Sequence, residues 1–306
     1  MLFTMKLGSG GQAGAHKVGQ GAIFCCALLW STSGLFIKLV DWHPLVIAGS
    51  RSFLAALVLL AVRMFRKRPA APPGSGRFPF YIMAAGFAYA LTMITFVVAN
   101  KHTASANAIL LQYSAPIWAA LLGWRIARER PHWEHWGALV CMTGGMLLFF
   151  KDGLSGGGFF GDSLSIFSGI CFGAHSVFMR MIKDRDPAEA MLLAHILTAL
   201  FSIPFFFLYP PALTAGSVLA IAFMGIIQIG AASLLFAYGI KRVTAVVAML
   251  TATIEPVMNP VWVLLATGER PTVSALLGGG VIVAAVAAAS LVGKRREDSN
   301  TSQSGK

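Results

Sequence analysis

The stretch TATIEPVMNPVWVLLATGERP at residues 251–271 decides the fold, because it repeats an earlier part of the chain. Residues 110–131 read LLQYSAPIWAALLGWRIARERP, and a shift of 140 residues aligns the two stretches without a gap. Pro116 then falls on Pro256, and the Glu-Arg-Pro that ends one stretch falls on the same tripeptide of the other. Apolar matches are frequent by chance in an apolar chain, but matched prolines and charges are not. An internal duplication is therefore predicted.

The duplicated stretches belong to a chain that is too apolar to be soluble. Its 306 residues are 57% hydrophobic and 12% charged, whereas a soluble domain is about 25% charged. We therefore exclude a soluble enzyme, a nucleic-acid-binding protein and a secreted disulfide scaffold. The 4 cysteines lie in apolar runs without the spacing of metal ligands, so we expect no metal and no cofactor.

Ten apolar runs have the length of transmembrane helices, which need about 20 residues each. The runs are continuous, unlike the alternating stretches of about ten residues in a membrane β-barrel. We therefore predict an all-α integral membrane protein with ten transmembrane helices. The predicted spans are residues 20–40, 44–62, 78–98, 104–124, 133–150, 164–181, 188–209, 218–238, 243–266 and 273–292.

The distribution of Lys and Arg predicts the orientation of the chain in the membrane. With a cytoplasmic N-terminus, nineteen of these residues fall on the cytoplasmic side, four fall outside, and Arg51 lies within a span. Cytoplasmic loops carry the excess of Lys and Arg in multi-pass proteins. Both termini are therefore predicted to lie in the cytoplasm, and the membrane is interpreted as the bacterial inner membrane.

The duplication divides the ten spans into two repeats of five. Because five is odd, the second repeat enters the membrane from the opposite side, and two inverted repeats are typical of transporters. Such repeats can exchange conformations, which alternately opens a midplane cavity to either side. The predicted division is a disordered cytoplasmic tail at 1–19, a first repeat at 20–150, a linker at 151–160, a second repeat at 161–292 and a cytoplasmic tail at 293–306.

The two matched stretches resemble the repeat signatures of EamA-type transporters in the drug/metabolite transporter superfamily. The resemblance implies ten helices, a central cavity between the repeats, and movement of amino acids, related metabolites or drugs, often outward. One departure is visible, since the family usually has Gly before the Glu in both copies. Here the first copy has Arg128 and the second keeps Gly268, which we interpret as a loop change with little effect on class.

Glu255 is the one acidic residue predicted to lie deep within a span. A charge at the bilayer centre costs roughly 2.5–3.5 kcal/mol on insertion scales. Pro256 removes a helix hydrogen bond and frees the carbonyl of residue 252, and a broken helix is tolerated where it lines a cavity. Glu255 is therefore the candidate for binding a substrate ammonium or for taking up a coupling proton. The alternative is a buried carboxyl group hydrogen-bonded to a neighbouring helix.

Other polar and aromatic side chains within spans are further substrate-binding candidates. Gln112 and Tyr113 precede a proline as Glu255 does, whereas Trp30 and Tyr89 offer an aromatic wall. The alternative for each is helix packing, because membrane Asn and Gln often bond across helices. The full set of candidates is Glu255, Gln112, Tyr113, Trp30, Tyr89, His175, Gln228 and Asn259.

Arg51 is the one basic residue deep in a predicted span, and its role stays open. It could pair with Glu255, meet a substrate carboxylate, bond backbone carbonyls, or extend its side chain towards the outer face. The sequence favours a carrier of small organic solutes, interpreted as an exporter, with the bilayer and a small molecule as partners and protons as a candidate coupling ion. A non-transporting scaffold or sensor and a membrane-embedded enzyme are the alternatives.

Overall fold

The computed structural model describes residues 9–38, 40–65, 78–103, 105–151, 158–267 and 272–304. Within these ranges all the regular secondary structure is helical, as the sequence predicts. The helices of the first half are α1 (Ser9–Trp30), α2 (Ser33–Lys38), α3 (Pro44–Phe65), α4 (Phe78–His102), α5 (Ser105–Gln112), α6 (Ala115–Leu122), the π-helix π1 (Gly123–Ala127) and α7 (Trp133–Phe150). Those of the second half are α8 (Phe159–Met181), α9 (Ala188–Leu208), α10 (Ala215–Phe223), π2 (Met224–Ala231), α11 (Ala232–Ile240), α12 (Ala245–Ala252), α13 (Ile254–Thr267) and α14 (Val273–Ser304).

Helices occupy each of the ten predicted spans, but they differ in length and continuity. The helices long and apolar enough to cross a membrane are Pro44–Phe65, Phe78–Ala99, Phe159–Met181, Ala188–Leu208 and Ala215–Ile240. Shorter apolar helices lie at Ala245–Met258 and Leu276–Ala289. The first, fourth and ninth predicted spans are each built from two consecutive α-helices. Ten membrane crossings therefore stay a prediction, while the described part of the chain is helical and has five helices long and apolar enough to cross a membrane.

Several helix ends lie beyond the predicted boundaries. Helix α1 begins at Ser9 within the predicted tail, α8 begins at Phe159 within the predicted linker, and α14 continues to Ser304. Helix α1 packs closely on α11 near the predicted start of the first span, where a Cβ atom added at Gly239 would stand 2.7 Å from the carbonyl oxygen of Gly19. Residues 1–8 of the predicted tail and 152–157 of the predicted linker lie outside the described residues.

Helices that correspond under the shift of 140 residues also correspond in space. The shift places α3 on α9, and these helices pack together. Arg63 of α3 contacts Glu189 of α9, whereas Gly49 lies against Ser202, so residue numbers rise along one helix and fall along the other. The corresponding helices therefore run antiparallel. In the same way, α4 of the first half packs on α8 of the second, and the equivalent pair under the shift, α11 of the second half and α1 of the first, also packs together.

The pair α7 and α14 also corresponds under the shift, and small residues let their backbones meet. A Cβ atom added at Gly278 would stand 2.4 Å from the backbone nitrogen of Phe149, and one added at Gly145 would stand 3.0 Å from the carbonyl oxygen of Gly278. Membrane helices use glycine for such close approach, because lipid supplies no hydrophobic force between helices.

Gly278→Ala is expected to destabilise the protein, because the new methyl group meets backbone that cannot move aside. The expected cost is about 1–3 kcal/mol, measured as a lower midpoint of thermal unfolding in detergent. Gly280→Ala is the matched control, because nothing lies within 4 Å of a Cβ atom added there. Equal shifts of the midpoint in the two variants would contradict the close approach.

The interior and exterior of the bundle have the distribution expected in lipid. The largest buried cluster joins both halves, with side chains from α1, α4, α8, α9, α11 and α12. Apolar side chains also cover the outside, and Phe65, Phe159 and Phe207 are at least 81% exposed. In water such exposure would be costly, whereas in a bilayer these side chains meet acyl chains. The polar side chains of the interior therefore need another explanation, and they define the candidate site.

Candidate functional site

Two helix breaks lie at equivalent positions in the two halves. Helix α12 ends at Ala252 and α13 begins at Ile254, with Thr253 as the break. Helix α5 ends at Gln112 and α6 begins at Ala115, and the shift of 140 residues places Tyr113 on Thr253. The interruption that Pro256 implies is therefore present, and its counterpart before Pro116 accompanies it.

Glu255 and Tyr113 bring the two breaks into contact. Glu255 lies in the first turn of α13 and is half-buried. The hydroxyl group of Tyr113 donates a hydrogen bond to its Oε2 atom at 2.5 Å. The amino end of a helix favours a negative charge nearby, because its N–H groups point towards it. The other carboxyl oxygen, Oε1, makes no hydrogen bond with the described residues, so part of the group stays available to a ligand or a proton.

Gln112 is held by neighbouring helices. Its Nε2 atom donates to Ser168 Oγ at 2.9 Å, and that hydroxyl group in turn donates to the carbonyl of Thr92 at 3.2 Å. These bonds tie α5 to α8 and α4. Tyr113 therefore contacts Glu255, whereas the side-chain amide of Gln112 holds neighbouring helices together.

Trp30, Tyr89 and His175 lie together in the buried interior. The ring centroids of Tyr89 and His175 are 4.5 Å apart and the rings are stacked, while those of Trp30 and Tyr89 are 6.4 Å apart. Phe172 and Phe236 complete the group, with centroids 5.8 and 5.6 Å from that of Trp30. His175 Nδ1 is 2.9 Å from the carbonyl oxygen of Ala85. The predicted aromatic residues therefore form one cluster that joins both halves.

Gln228 connects this cluster to a third helix break. It lies in π2, and its Nε2 atom donates to the carbonyl oxygen of Trp30 at 3.2 Å. Trp30 is the last residue of α1, so Gln228 satisfies a carbonyl group near the point where the helix ends. Such replacement partners are what allow broken helices within a membrane. The side chain of Asn259, the remaining predicted site residue, lies outside the described residues.

Arg51 and His195 adjoin the same interior, although neither was among the predicted site residues. Arg51 is 5% exposed, and its terminal nitrogen contacts Met93 Sδ at 3.7 Å, so it does not extend to the surface. His195 Nε2 is 2.9 Å from Ser233 Oγ, and its ring meets that of Tyr89 edge-on. The sequence signal that could have identified both residues is a titratable side chain in the middle of an apolar run. Within the described residues, no three His, Cys, Asp or Glu side chains are grouped as metal ligands would be.

An ion pair at one end of the bundle joins several elements. Arg180 Nε at the end of α8 donates to Glu129 Oε1 at 2.7 Å. Arg180 also donates to the carbonyls of Ile240 and Lys241, at 3.2 and 2.8 Å, and Glu129 Oε2 accepts from the backbone N–H of Ala245 at 3.4 Å. The pair thus fastens α8 and the segment after π1 to the turn between α11 and α12. The charge distribution predicts that this end faces the cytoplasm.

The residue before Glu129 explains the departure in the repeat signature. Arg128 has φ 56° and ψ 21°, the left-handed conformation that glycine adopts without steric cost. The backbone N–H of Glu129 then donates to the carbonyl of Gly123 at 3.1 Å, which turns the chain back at the end of π1. The usual Gly of the signature thus suits the backbone of this turn, which Arg128 adopts at a cost.

Arg128→Gly is expected to stabilise the protein, because it relieves a conformational cost of roughly 1–2 kcal/mol. The greater freedom of glycine in the unfolded chain offsets about half of this gain. Thermal unfolding of Arg125→Gly provides the comparison, because Arg125 lies within π1 and a helical glycine destabilises. A shift of the same sign in both variants would contradict the role of the left-handed turn.

Comparisons with known proteins agree with this architecture. The EamA-like transporter family matches the chain twice, over residues 17–151 and 159–291. An uncharacterized transporter YwfM of Bacillus subtilis is 23% identical over 263 residues, covering 84% of this chain and 88% of that protein. An uncharacterized transporter of Archaeoglobus fulgidus is 24% identical over 269 residues, covering 86% and 93%.

A solved crystal structure of another protein shows the same fold. Its TM-score is 0.74 at 20% identity, and the match covers 92% of this chain and 98% of that chain. At this identity the likeness concerns the fold alone. The family match spans both halves and accounts for the repeated signature at residues 110–131 and 251–271. With its two matching repeats, the chain belongs to the EamA-like transporter family.

Proposed function

We propose that this protein moves small organic solutes, which are amino acids, related metabolites or drugs, out of the cytoplasm by alternating access around Glu255. The observation that carries the proposal is the hydrogen bond between Tyr113 and Glu255, at the equivalent helix breaks of the two halves. Broken helices at membrane depth are characteristic of transporter binding sites, because they leave backbone groups free to meet the solute.

The antiparallel packing of corresponding helices supports alternating access. We propose two inverted repeats, at 20–150 and 161–292, with a linker between them. Because the repeats are similar, each can adopt the conformation of the other at nearly equal energy. An exchange opens the site to one side of the membrane and closes it to the other. The predicted orientation places both termini in the cytoplasm of a bacterial inner membrane, with the Glu129–Arg180 pair closing the cytoplasmic end.

Glu255 is proposed to take part in binding and in proton coupling. Intramembrane carboxylates that face a bundle interior mark substrate paths and proton relays. Its free oxygen can accept a bond from a substrate ammonium, while the Tyr113 hydroxyl fixes the orientation of the group. We further propose that Trp30, Tyr89, His175 and Gln228 border the site, with Gln112 and Asn259 as its remaining predicted members.

Solute efflux from proteoliposomes tests this function. Vesicles are loaded with amino acids, purine metabolites and cationic drugs, and loss is read by mass spectrometry against protein-free vesicles, with and without a pH gradient. Selective loss of one class is the expected result, and dependence on the gradient would support coupling. No selective loss would overturn the proposal and favour a scaffold or sensor, whereas conversion of a solute would favour an enzyme.

A further inference from the structure

Three exposed arginines form a cluster on π1 and the segment that follows it. They border a cavity of about 470 Å³, which is lined by Trp124, Arg125, Arg128 and Arg130. In the part of the chain that the structure describes, none of the three guanidinium groups forms an ion pair. Glu129, the one acidic residue between them, is bound to Arg180 at 2.7 Å instead. The three positive charges are therefore available to an anion from outside the protein.

The middle arginine of the cluster occupies a backbone position that suits glycine better. Arg128 has φ 56°, which is left-handed and costly for a residue with a Cβ atom. The equivalent position in the second repeat, under the shift of 140 residues, is Gly268. Strained residues of this kind concentrate at functional sites. The cost at Arg128 therefore indicates that its side chain has a role other than stabilising the fold.

Apolar and aromatic side chains are exposed on both sides of the cluster along the chain. Leu121, three residues before Trp124, is 40% exposed, and Trp124 itself is 54% exposed. Trp133, the first residue of α7, is 67% exposed. Tryptophan is enriched at the level of the lipid headgroups, where its ring meets acyl chains and its N–H group meets polar atoms. The arginines are therefore expected to lie at the headgroup level of the predicted cytoplasmic side.

We propose that this cavity binds the phosphate group of an anionic phospholipid, whose acyl chains lie against Leu121 and Trp124. The planar guanidinium group forms paired hydrogen bonds with phosphate oxygens, and basic pockets on the cytoplasmic side of membrane proteins bind anionic headgroups. A soluble phosphate would meet the same arginines but would leave the apolar side chains unused, so the lipid is the favoured occupant. This site is separate from Glu255 and does not depend on the transport proposed above.

Competition between two lipids tests the site in the full-length protein. The protein is purified in a neutral detergent and mixed with equal amounts of palmitoyl-oleoyl phosphatidylglycerol, which is anionic, and palmitoyl-oleoyl phosphatidylcholine, which has no net charge. Native mass spectrometry then measures how much of each lipid is bound. Phosphatidylglycerol is expected to bind at least about tenfold more tightly, because each basic residue near an anionic headgroup contributes about fivefold in affinity.

Arg128→Gly separates lipid binding from stability. The variant is expected to lower the preference for phosphatidylglycerol by about fivefold, because one of the three cations is lost. Its midpoint of thermal unfolding is expected to rise, because glycine adopts the left-handed turn without strain. A merely structural arginine would not lower the lipid preference while its removal stabilises the protein.

Two double variants with the same change in charge test whether the cluster itself is responsible. Arg125→Gln combined with Arg130→Gln is expected to remove most of the preference for the anionic lipid. Arg63→Gln combined with Arg242→Gln is expected to retain it. The guanidinium groups of this control pair are already engaged, by an ion pair with Glu189 and by the ring of Tyr238.

Glycerol phosphate distinguishes a lipid site from a site for a soluble anion, because it carries the phosphate group without acyl chains. A large excess is expected to leave phosphatidylglycerol bound, and displacement would overturn the lipid assignment. Equal binding of the two lipids, or an unchanged preference in Arg125→Gln with Arg130→Gln, would overturn the site. An equal loss of preference in the control pair would assign the effect to net charge and overturn it as well. If a variant does not fold, the wild-type competition still decides.

Discussion

Solute efflux through a Glu255→Gln variant is expected to fall by about tenfold or more, because a hydrogen bond to a charged group contributes about 1.5–3 kcal/mol. Glutamine keeps the size of the side chain but removes the negative charge that faces a substrate ammonium. It also removes the proton-binding group. Any dependence of the wild-type rate on pH is therefore expected to disappear in the variant, measured as efflux from proteoliposomes across a series of pH values.

Tyr113→Phe serves as the matched variant for this prediction. It removes the hydroxyl group that donates to Glu255 at 2.5 Å but retains the ring and the carboxylate. The expected fall in efflux is smaller, and the dependence on pH is retained, because the titrating group is still present. Unchanged efflux and unchanged pH dependence in Glu255→Gln would remove Glu255 from the mechanism and leave it a structural carboxyl group.

Loss of the Glu129–Arg180 ion pair is expected to open the predicted cytoplasmic end of the bundle. At that end the pair connects α8 and the segment after π1 with the turn between α11 and α12. The two side chains are 23% and 14% exposed, so Glu129→Gln should cost about 1–3 kcal/mol, between the values for surface and buried pairs. A bias of this size shifts a two-state equilibrium roughly 5–150-fold. A cysteine replacing buried Ser176, whose hydroxyl donates to Ala245, should react with a maleimide faster by a factor in that range.

The pair between Arg63 and Glu189 is the matched control for this prediction. Its atoms are 3.3 Å apart and its side chains are 36% and 35% exposed, so Glu189→Gln should cost less than about 1 kcal/mol. It lies between α3 and α9 and is not expected to change labelling at position 176. Equal labelling in Glu129→Gln and the parent protein would show that the pair does not hold this end closed.

The helical class and the duplication were predictable from the sequence because their signals are local. Apolar runs report burial in lipid, and the matched Pro116 and Pro256 locate equivalent helix breaks. The family match confirms the repeated architecture. The break between α1 and α2 at Ser31 and Thr32 was not predicted, because no proline marks it. It depends on distant partners: Gln228 donates to the carbonyl of Trp30, and Trp262 donates to Ser31 Oγ at 2.7 Å.

The contacts within the site could not be predicted from the sequence, because they depend on how the helices are arranged in space. The sequence selected Glu255 and Tyr113 separately, but their hydrogen bond depends on how α5 and α13 are placed relative to each other. Arg51 could equally have reached the membrane surface, and its burial against Met93 follows from the packing of α3 on α4. Glu129 was noticed as part of a repeated tripeptide, while its partner Arg180 is far away in the chain and belongs to no repeated motif.

Access to the central site from both sides of the membrane is the most direct test of the account. A single cysteine replaces Tyr113 beside Glu255, in a protein from which Cys25, Cys26, Cys141 and Cys171 have been removed. An impermeant maleimide is then added to one side of oriented vesicles or to the other. Cysteines at exposed Arg130 and Leu213 report the two predicted sides of the membrane.

Alternating access predicts labelling of the cysteine at position 113 from either side, with a ratio that changes when a transported solute is present. The controls at positions 130 and 213 should each react from one side only, and from opposite sides. Labelling at position 113 from a single side under every condition, or from neither, would contradict a site that opens alternately to both faces of the membrane.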